Sequence, residues 1–372
     1  MSHENSGLSR RIILGAMLAA PPFINARAQS KPGMTNELIQ AAQKEGVLSY
    51  YHNSDIDITN LWTDVFAKRF KIQMKNMRLP SYPLFDRWLN ETRVGRHLAD
   101  VIQITDPTLL SYANKQGYIA NYIPEGGAFI PSELREDGIW YGLFTNPMGI
   151  GYNSKTVTPD EEKLIQTGGW DALADPRWKG RYGTATPASG GSSYAYCYMF
   201  LVTLKARYGK PWFSKLAANK PDIYASKAPL FERLAAGEYA LMDQGSAGSL
   251  SEYYLKGAPI RWAFPSPTPI SITSQSICKN AAHPAAARLF QEWCTTAEGQ
   301  AEWVKHSIEN TTRPEVVNPR KAAKSDWYKD SWFREPTKLY ADYLKDEAFA
   351  DPKKPVISEW NEIFKGLSTK KS

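Results

Sequence analysis

The run Thr186-Pro-Ala-Ser-Gly-Gly-Ser-Ser193 has the residue types of an anion cradle. Adjacent glycines let backbone N–H groups come close to a bound group, and serine hydroxyls add rotatable donors. A helix is expected to follow, and the first four N–H groups of a helix lack internal partners. Ser189, Gly190, Gly191 and Ser192 are therefore candidates for holding a phosphate, phosphonate or carboxylate. The plainer reading is a capped helix after a flexible turn. Arg78 is the candidate charged partner, because a guanidinium fork matches either oxyanion. Further polar groups fall where strands are expected to end: Asn53 and Ser54, Ser81, Thr105 and Asp106, and Asp243 with Gln244. Asp55, Asp106 and Asp243 support the opposite chemistry, since several cleft carboxylates suit a polyamine or other cation. Tyr50, Tyr51, Tyr82, Tyr194 and Tyr196 could stack on a planar or sugar-like ligand.

Catalysis finds little support. No H-E-x-x-H zinc motif or G-x-x-x-x-G-K phosphate loop occurs, and Gly245-Ser246-Ala-Gly248 lacks the first glycine of a G-x-S-x-G elbow. Beyond the first residues, histidine is confined to His52, His97, His283 and His306. The expectation is a binding protein with no cofactor and no catalytic residue. A carboxylate-only hydrolase, or a signalling receptor domain, is the alternative from another class.

The chain ends and composition narrow the setting. Ser9-Arg10-Arg11 precedes an apolar stretch from Ile12 to Ile24, shorter than the about 20 residues a membrane-spanning helix needs. With Ala26-Arg27-Ala28 after it, residues 1–28 read as a cleavable, twin-arginine-like secretory signal. The mature protein is then expected to be a soluble periplasmic monomer. Three cysteines, Cys197, Cys278 and Cys294, cannot all pair within one chain. The formal charge of +7 is spread out rather than gathered into a basic stripe, which argues against a nucleic-acid partner.

The positioning elements alternate. Helical spacing marks 57–70 and 83–94, and apolar runs mark strands at 47–51, 72–77 and 100–104. This is the pattern of a parallel sheet covered by helices. Trp140 to Tyr152 lacks helical periodicity and reads as extended strand carrying the chain to a second α/β unit, with 258–264 crossing back. There, helices are expected at 192–208, 230–236 and 284–295, a short strand at 240–242, and an aromatic helical tail at 325–367.

Gly149-Ile-Gly-Tyr-Asn153, Trp170-Asp-Ala-Leu173 and Asp175-Pro-Arg-Trp-Lys-Gly180 resemble segments of the extracellular solute-binding proteins of ABC importers. So do Ala282-His-Pro-Ala-Ala-Ala-Arg-Leu-Phe290, Ala297-Glu-Gly-Gln300 and Thr312-Arg-Pro-Glu-Val316. These segments come in family order and are similar to the ferric-iron, putrescine, thiamine and phosphonate group. The resemblance implies an α/β, two-lobed periplasmic binding protein fold (type II-like), each lobe a mainly parallel sheet covered by helices. Lobe 1 would comprise 29–148 plus 262–312, and lobe 2 would comprise 149–261 plus 313–372. A small ligand would be clamped by hinge closure, and an ABC permease in the inner membrane would be the partner. An anionic organic ligand leads, because Ser189 and Gly190 match the loop of phosphonate-binding relatives, although Gly191 replaces their threonine. Ferric iron is the alternative. The resemblance places the tyrosine slots of ferric-binding relatives on Ala247 and Gly248, and their histidine slot on Asp55, near His52. Tyr253 and Tyr254 follow too late and are expected on a helix that has left the cleft.

Overall fold

Alternating apolar runs and helical stripes become a two-lobed α/β molecule in the computed structural model, which describes residues 33–307, 309–316, 325–328, 342–351, 354–367 and 369–370. The expected signal (residues 1–28) and the tail residues Trp332 and Phe333 lie outside the described residues. The first lobe opens with α1 (Asn36–Glu45), β1 (Val47–His52), α2 (Ile56–Phe70), β2 (Gln73–Arg78), α3 (Ser81–Arg93), β3 (Val101–Ile104) and α4 (Pro107–Lys115). Short β4 (Arg135–Glu136) leads into the long β5 (Trp140–Asn153). The second lobe adds α5 (Pro159–Thr167), β6 (Tyr182–Ala185), α6 (Gly191–Tyr198), α7 (Gly209–Ala218), β7 (Asp222–Tyr224), α8 (Ala228–Ala236), β8 (Leu241–Ser246), α9 (Ala247–Leu255) and β9 (Ile260–Ala263). The chain then runs through β10 (Ile270–Ile277), α10 (Pro284–Cys294), α11 (Ala297–Val304) and β11 (Asn310–Thr311). It closes with α12 (Glu347–Ala350), α13 (Pro355–Ile363) and β12 (Thr369–Lys370).

Strand β1 lies parallel to both β2 and β3, with Val47 opposite Gln73 and Tyr50 opposite Val101. The second lobe repeats the arrangement with β6 parallel to β7 and β8. Between them runs β5. Its first half, to Pro147, pairs antiparallel with β10, and its second half, from Met148, pairs with β8 and β9. The two sheets thus share one strand, in the order β12-β7-β6-β8-β5-β10-β3-β1-β2. Gly149 makes the close pairing possible, since a Cβ there would lie 2.3 Å from the Ala263 carbonyl oxygen. The chain returns between β9 and β10, slightly later than 258–264.

Several boundaries moved. α3 begins at Ser81 rather than Pro83, because a proline in the first helical turn gives up only an N–H that has no partner there. The expected helix 192–208 stops at Tyr198, passes through a wider turn at Met199–Thr203, and resumes as α7. That stretch is apolar on every side, so no stripe marked its end. β8 runs to Ser246, four residues past the expected strand at 240–242.

Aromatic packing holds each lobe. Trp62 meets the rings of Phe144, Phe290, Trp293 and Trp303 at 5.2–5.6 Å, and its Nε1 donates to the Gly299 carbonyl at 2.7 Å. In the second lobe Phe200 stacks on Trp212 at 4.9 Å, and Trp360 and Phe364 of the tail join the same core. Trp178 is core as well, donating to the Ala172 carbonyl at 2.7 Å. His283 precedes α10 with its Nδ1 2.8 Å from Asp100. Cys197, Cys278 and Cys294 are free and buried, and burial pushes all three thiols up. Among the described residues no helix is long and apolar enough to cross a membrane.

Trp62→Ala should cost about 3–5 kcal/mol of folding free energy, read from denaturant unfolding. Leu61→Ala, one residue away and 51% exposed, should change it by less than about 0.5 kcal/mol.

Candidate functional site

Parallel strands point their carboxyl ends, and the N-termini of the helices that follow, toward one edge of a sheet. Here the two lobes turn those edges toward each other around a cavity of about 450 Å³. The first lobe contributes Asn53, Ser54, Asp55 and Asp57 after β1, Arg78 at the end of β2, Ser81, and Thr105 after β3. From the second come Ser189, Gly190, Ser192 and Ser193 after β6, Ser226 and Lys227 after β7, and Ser246, Glu252 and Tyr253 along β8 and α9. Asn146 and Ser271 line it from the shared strands, and Ser307 and Glu309 from the end of the α11 region.

Most of the expected residues meet here. Asn53 donates through Nδ2 to Ser81 Oγ at 2.8 Å and Thr105 Oγ1 at 3.0 Å, while its buried Oδ1 has no partner. Ser54 Oγ donates to Gln103 Oε1 at 2.9 Å. Ser189 Oγ donates to the Thr186 carbonyl at 3.0 Å. Gly190 and Gly191 have φ of 82° and 52°, and here the lobes touch. A Cβ on Gly190 would lie 2.3 Å from the Tyr82 ring, and one on Gly191 would lie 2.1 Å from Thr105 Oγ1. Gly191 therefore serves the contact between lobes rather than the cavity wall.

Three further expected residues fall outside the cavity wall. Asp106 is fully buried and accepts from Tyr82 and from Lys354, each at 3.2 Å. Asp243 lies beneath the floor, where its Oδ2 accepts from the Tyr182 hydroxyl at 2.7 Å. Gln244 is buried at φ 55° and donates to the Ala185 carbonyl at 3.0 Å. His52 also turns away from the cavity. It stacks on Tyr50 at 5.3 Å, and burial depresses its pKa to about 4.

The sequence reading missed Asp57, Lys227, Glu252 and Glu309, and had Ser193 within the candidate loop without singling it out. Lys227 follows β7, a three-residue strand too short for alternation to reveal. Burial lowers its pKa to about 8, and its ammonium donates to Ser192 Oγ. Ser193 Oγ is buried without a partner. Tyr253 does line the cavity, contrary to the expectation for the tyrosine pair. Tyr254 turns away, against Trp262 and Trp327.

One wall is acidic. Asp55 caps α2, accepting from the Asp57 and Ile58 N–H groups at 2.9 and 3.1 Å. Carboxylate oxygens of Asp55, Asp57 and Glu252 all lie within 4.8 Å of one another, so acids from both lobes converge. Burial first, and the facing Asp55 carboxylate as well, raise the Glu252 pKa, against the opposing pull of Lys256. Burial raises Asp243 to about 6 and Glu309 to about 7. Trp303 Nε1 donates to Glu309 at 2.7 Å.

Because Glu309 holds its proton more tightly folded than unfolded, its contribution to stability is present below about pH 4.5 and declines as pH rises toward 7. Across that window stability should fall by on the order of 3 kcal/mol from this group, and Glu309→Gln should flatten the profile. Denaturant unfolding at a series of pH values, without added ligand, reads the effect.

A family model described as bacterial extracellular solute-binding protein matches residues 96–334, well over half the chain. A curated relative from Haemophilus influenzae, an uncharacterized protein, is 29% identical over 162 residues, 42% of this chain and 45% of that protein. Among solved structures, the periplasmic binding protein AfuA from Actinobacillus pleuropneumoniae, with exogenous fructose-6-phosphate bound, is 20% identical at a TM-score of 0.70, covering 86% of this chain and 99% of its own. Iron-bound HitA from Pseudomonas aeruginosa is 20% identical at 0.68, covering 85% and 99%. An ABC-transporter substrate-binding protein from Agrobacterium tumefaciens is 16% identical at 0.71, covering 86% and 94%. At these identities the structures establish the fold. The chain therefore belongs to the bacterial extracellular solute-binding protein family and has the two-lobed fold of periplasmic binding proteins.

Proposed function

We propose that the protein captures ferric iron for an ABC importer, delivering it as a monomer to a permease in the inner membrane. The observation that carries this reading is the convergence of Asp55, Asp57 and Glu252 from opposite lobes. Ferric iron is a hard cation, and carboxylate oxygens are hard donors. Closing like charges against one another is unfavourable unless a cation or a proton sits between them. A cation bridging the three acids would favour the closed form, which is the differential affinity that hinge closure requires. Tyr253, on the same wall, is a further oxygen donor. The iron-bound relative on the same fold adds support. The lobes would swing about the middle of β5 and the return segment between β9 and β10.

A second reading, an anionic organic ligand, rests on other residues of the same cavity. Half-buried Lys227, Arg78 and the unpartnered Ser193 hydroxyl suit a phosphate or carboxylate. The sugar-phosphate-bound relative supports it.

The two readings separate by titration with ferric nitrilotriacetate, and with phosphate and sugar phosphates in parallel. For iron, Asp55→Asn with Glu252→Gln should weaken binding by on the order of 100-fold while Lys227→Met changes it little. Asparagine still caps α2, so the fold should hold, as far-ultraviolet circular dichroism would check. Tight sugar-phosphate binding that Lys227→Met abolishes would overturn the iron reading in favour of the second. Ligation needs deprotonated carboxylates, so iron affinity should also fall as pH drops. The raised Glu252 pKa places the start of that fall above the ordinary carboxylate range, and Glu252→Gln should remove its share of the slope.

A further inference from the structure

Asp106 is one of the few acids of the first lobe that is completely buried, yet it faces no cavity. Its Oδ1 caps α4 through the Thr108 N–H, and its Oδ2 receives the Tyr82 hydroxyl and the Lys354 ammonium, each at 3.2 Å. Lys354 comes from the far end of the chain. Its Nζ also donates to the Phe349 carbonyl at 2.8 Å and sits over the rings of Tyr194, Phe349 and Tyr82 at 4.8, 5.0 and 5.6 Å. Only 7% of its side chain is exposed, and none of that of Asp106.

The segments that present Lys354 are fixed to the second lobe. Val356 and Trp360 of α13, with Phe364 just after it, share a core with Trp212 and Phe213 of α7. Tyr198 of α6 donates to Asp346, and Phe349 packs on Tyr194 and Tyr198. Tyr343 reaches the start of β10, donating to the Ile270 carbonyl at 2.8 Å. The lysine therefore rides with the second lobe and the aspartate with the first.

We infer that residues 342–351 and 354–367 form a strap whose Lys354 latches the first lobe in the closed conformation through Asp106. The physical argument concerns what happens when one partner is lost. A buried ion pair adds little by itself, because both charges are well solvated when the lobes part. Removing one charge leaves the other buried and unpaired in the closed form alone, which penalises closure specifically. The cation–π contacts act in the same direction, since opening withdraws the ammonium from the Tyr82 ring. The pair thus sets the register of the closed form, and loss of either partner alone lowers the closed population. This rests on hinge closure and not on which cargo is bound.

The test measures the radius of gyration of the ligand-free full-length mature protein by small-angle X-ray scattering. Lys354→Met keeps a side chain that fits the aromatic cage, and Asp106→Asn keeps the α4 cap. Either should shift the ensemble toward the expanded form, marked by a Gly191→Phe variant that wedges the lobes apart. Ferric nitrilotriacetate, or whichever probe the parent protein binds, should bind roughly tenfold more weakly to each single variant. The double variant should recover toward the parent, because it removes both charges, whereas a merely structural role for Lys354 would show no recovery. Scattering from Lys354→Met that matches the parent while Gly191→Phe expands would overturn the latch. If neither variant expands, the lobes do not part and the latch fails together with hinge closure. Should Lys354→Met not fold, Asp106→Asn alone gives the same reading.

Discussion

One strand serving two sheets is the constraint on which the rest depends. β5 gives its first half to β10 and its second half to β8 and β9, so neither lobe can complete its sheet without it. β5 runs unbroken across the boundary while its partner changes between Pro147 and Met148, which fixes how the two sets of strand ends face each other. Because both lobes use parallel strands near the middle, both send their loops and helix N-termini toward the same gap. The cavity is thus a consequence of the shared strand. The side chains in it need only sit at the right strand ends.

Those side chains make an electrically mixed cavity. Acids from α2 and α9 converge, and Lys227, Arg78 and several serines line the same cavity. Burial sharpens both, raising Glu252 and Glu309 and lowering Lys227. Each shift says that the charged form lacks water and is only partly compensated. Glycines at 190 and 191 let the lobes come into van der Waals contact beside this cavity, and Lys354 and Asp106 meet next to that contact. Closure is therefore arranged by backbone that tolerates a close approach, together with a charge pair at its edge.

Much of this was legible from local signals. The β–α alternation and the extended run at Trp140 follow from periodicity that acts within a few residues. Loops after strands 47–51, 72–77 and 100–104 were identifiable as site-forming, because where a parallel strand ends is a local property. Asn53, Ser81, Thr105, Ser189 and Ser192 were found in this way. Lys227 was hidden behind a three-residue strand. Glu252 was hidden because a helix whose start lines the cleft can keep lining it one turn further on, which depends on the angle at which the helix leaves.

The sequence by itself determined the elements, the family and the set of loops that could hold a ligand, since those depend on neighbours along the chain. Only the tertiary structure decided which polar groups share the cavity. Asp57 and Glu252 are separated by about half of the chain and meet because the two lobes face each other across the cavity. Asp106 has the same residue type and the same strand-end position as a ligand-binding acid, yet it turns to Lys354. No local pattern distinguishes the two fates, because the partner of a buried charge is set by what packs over it.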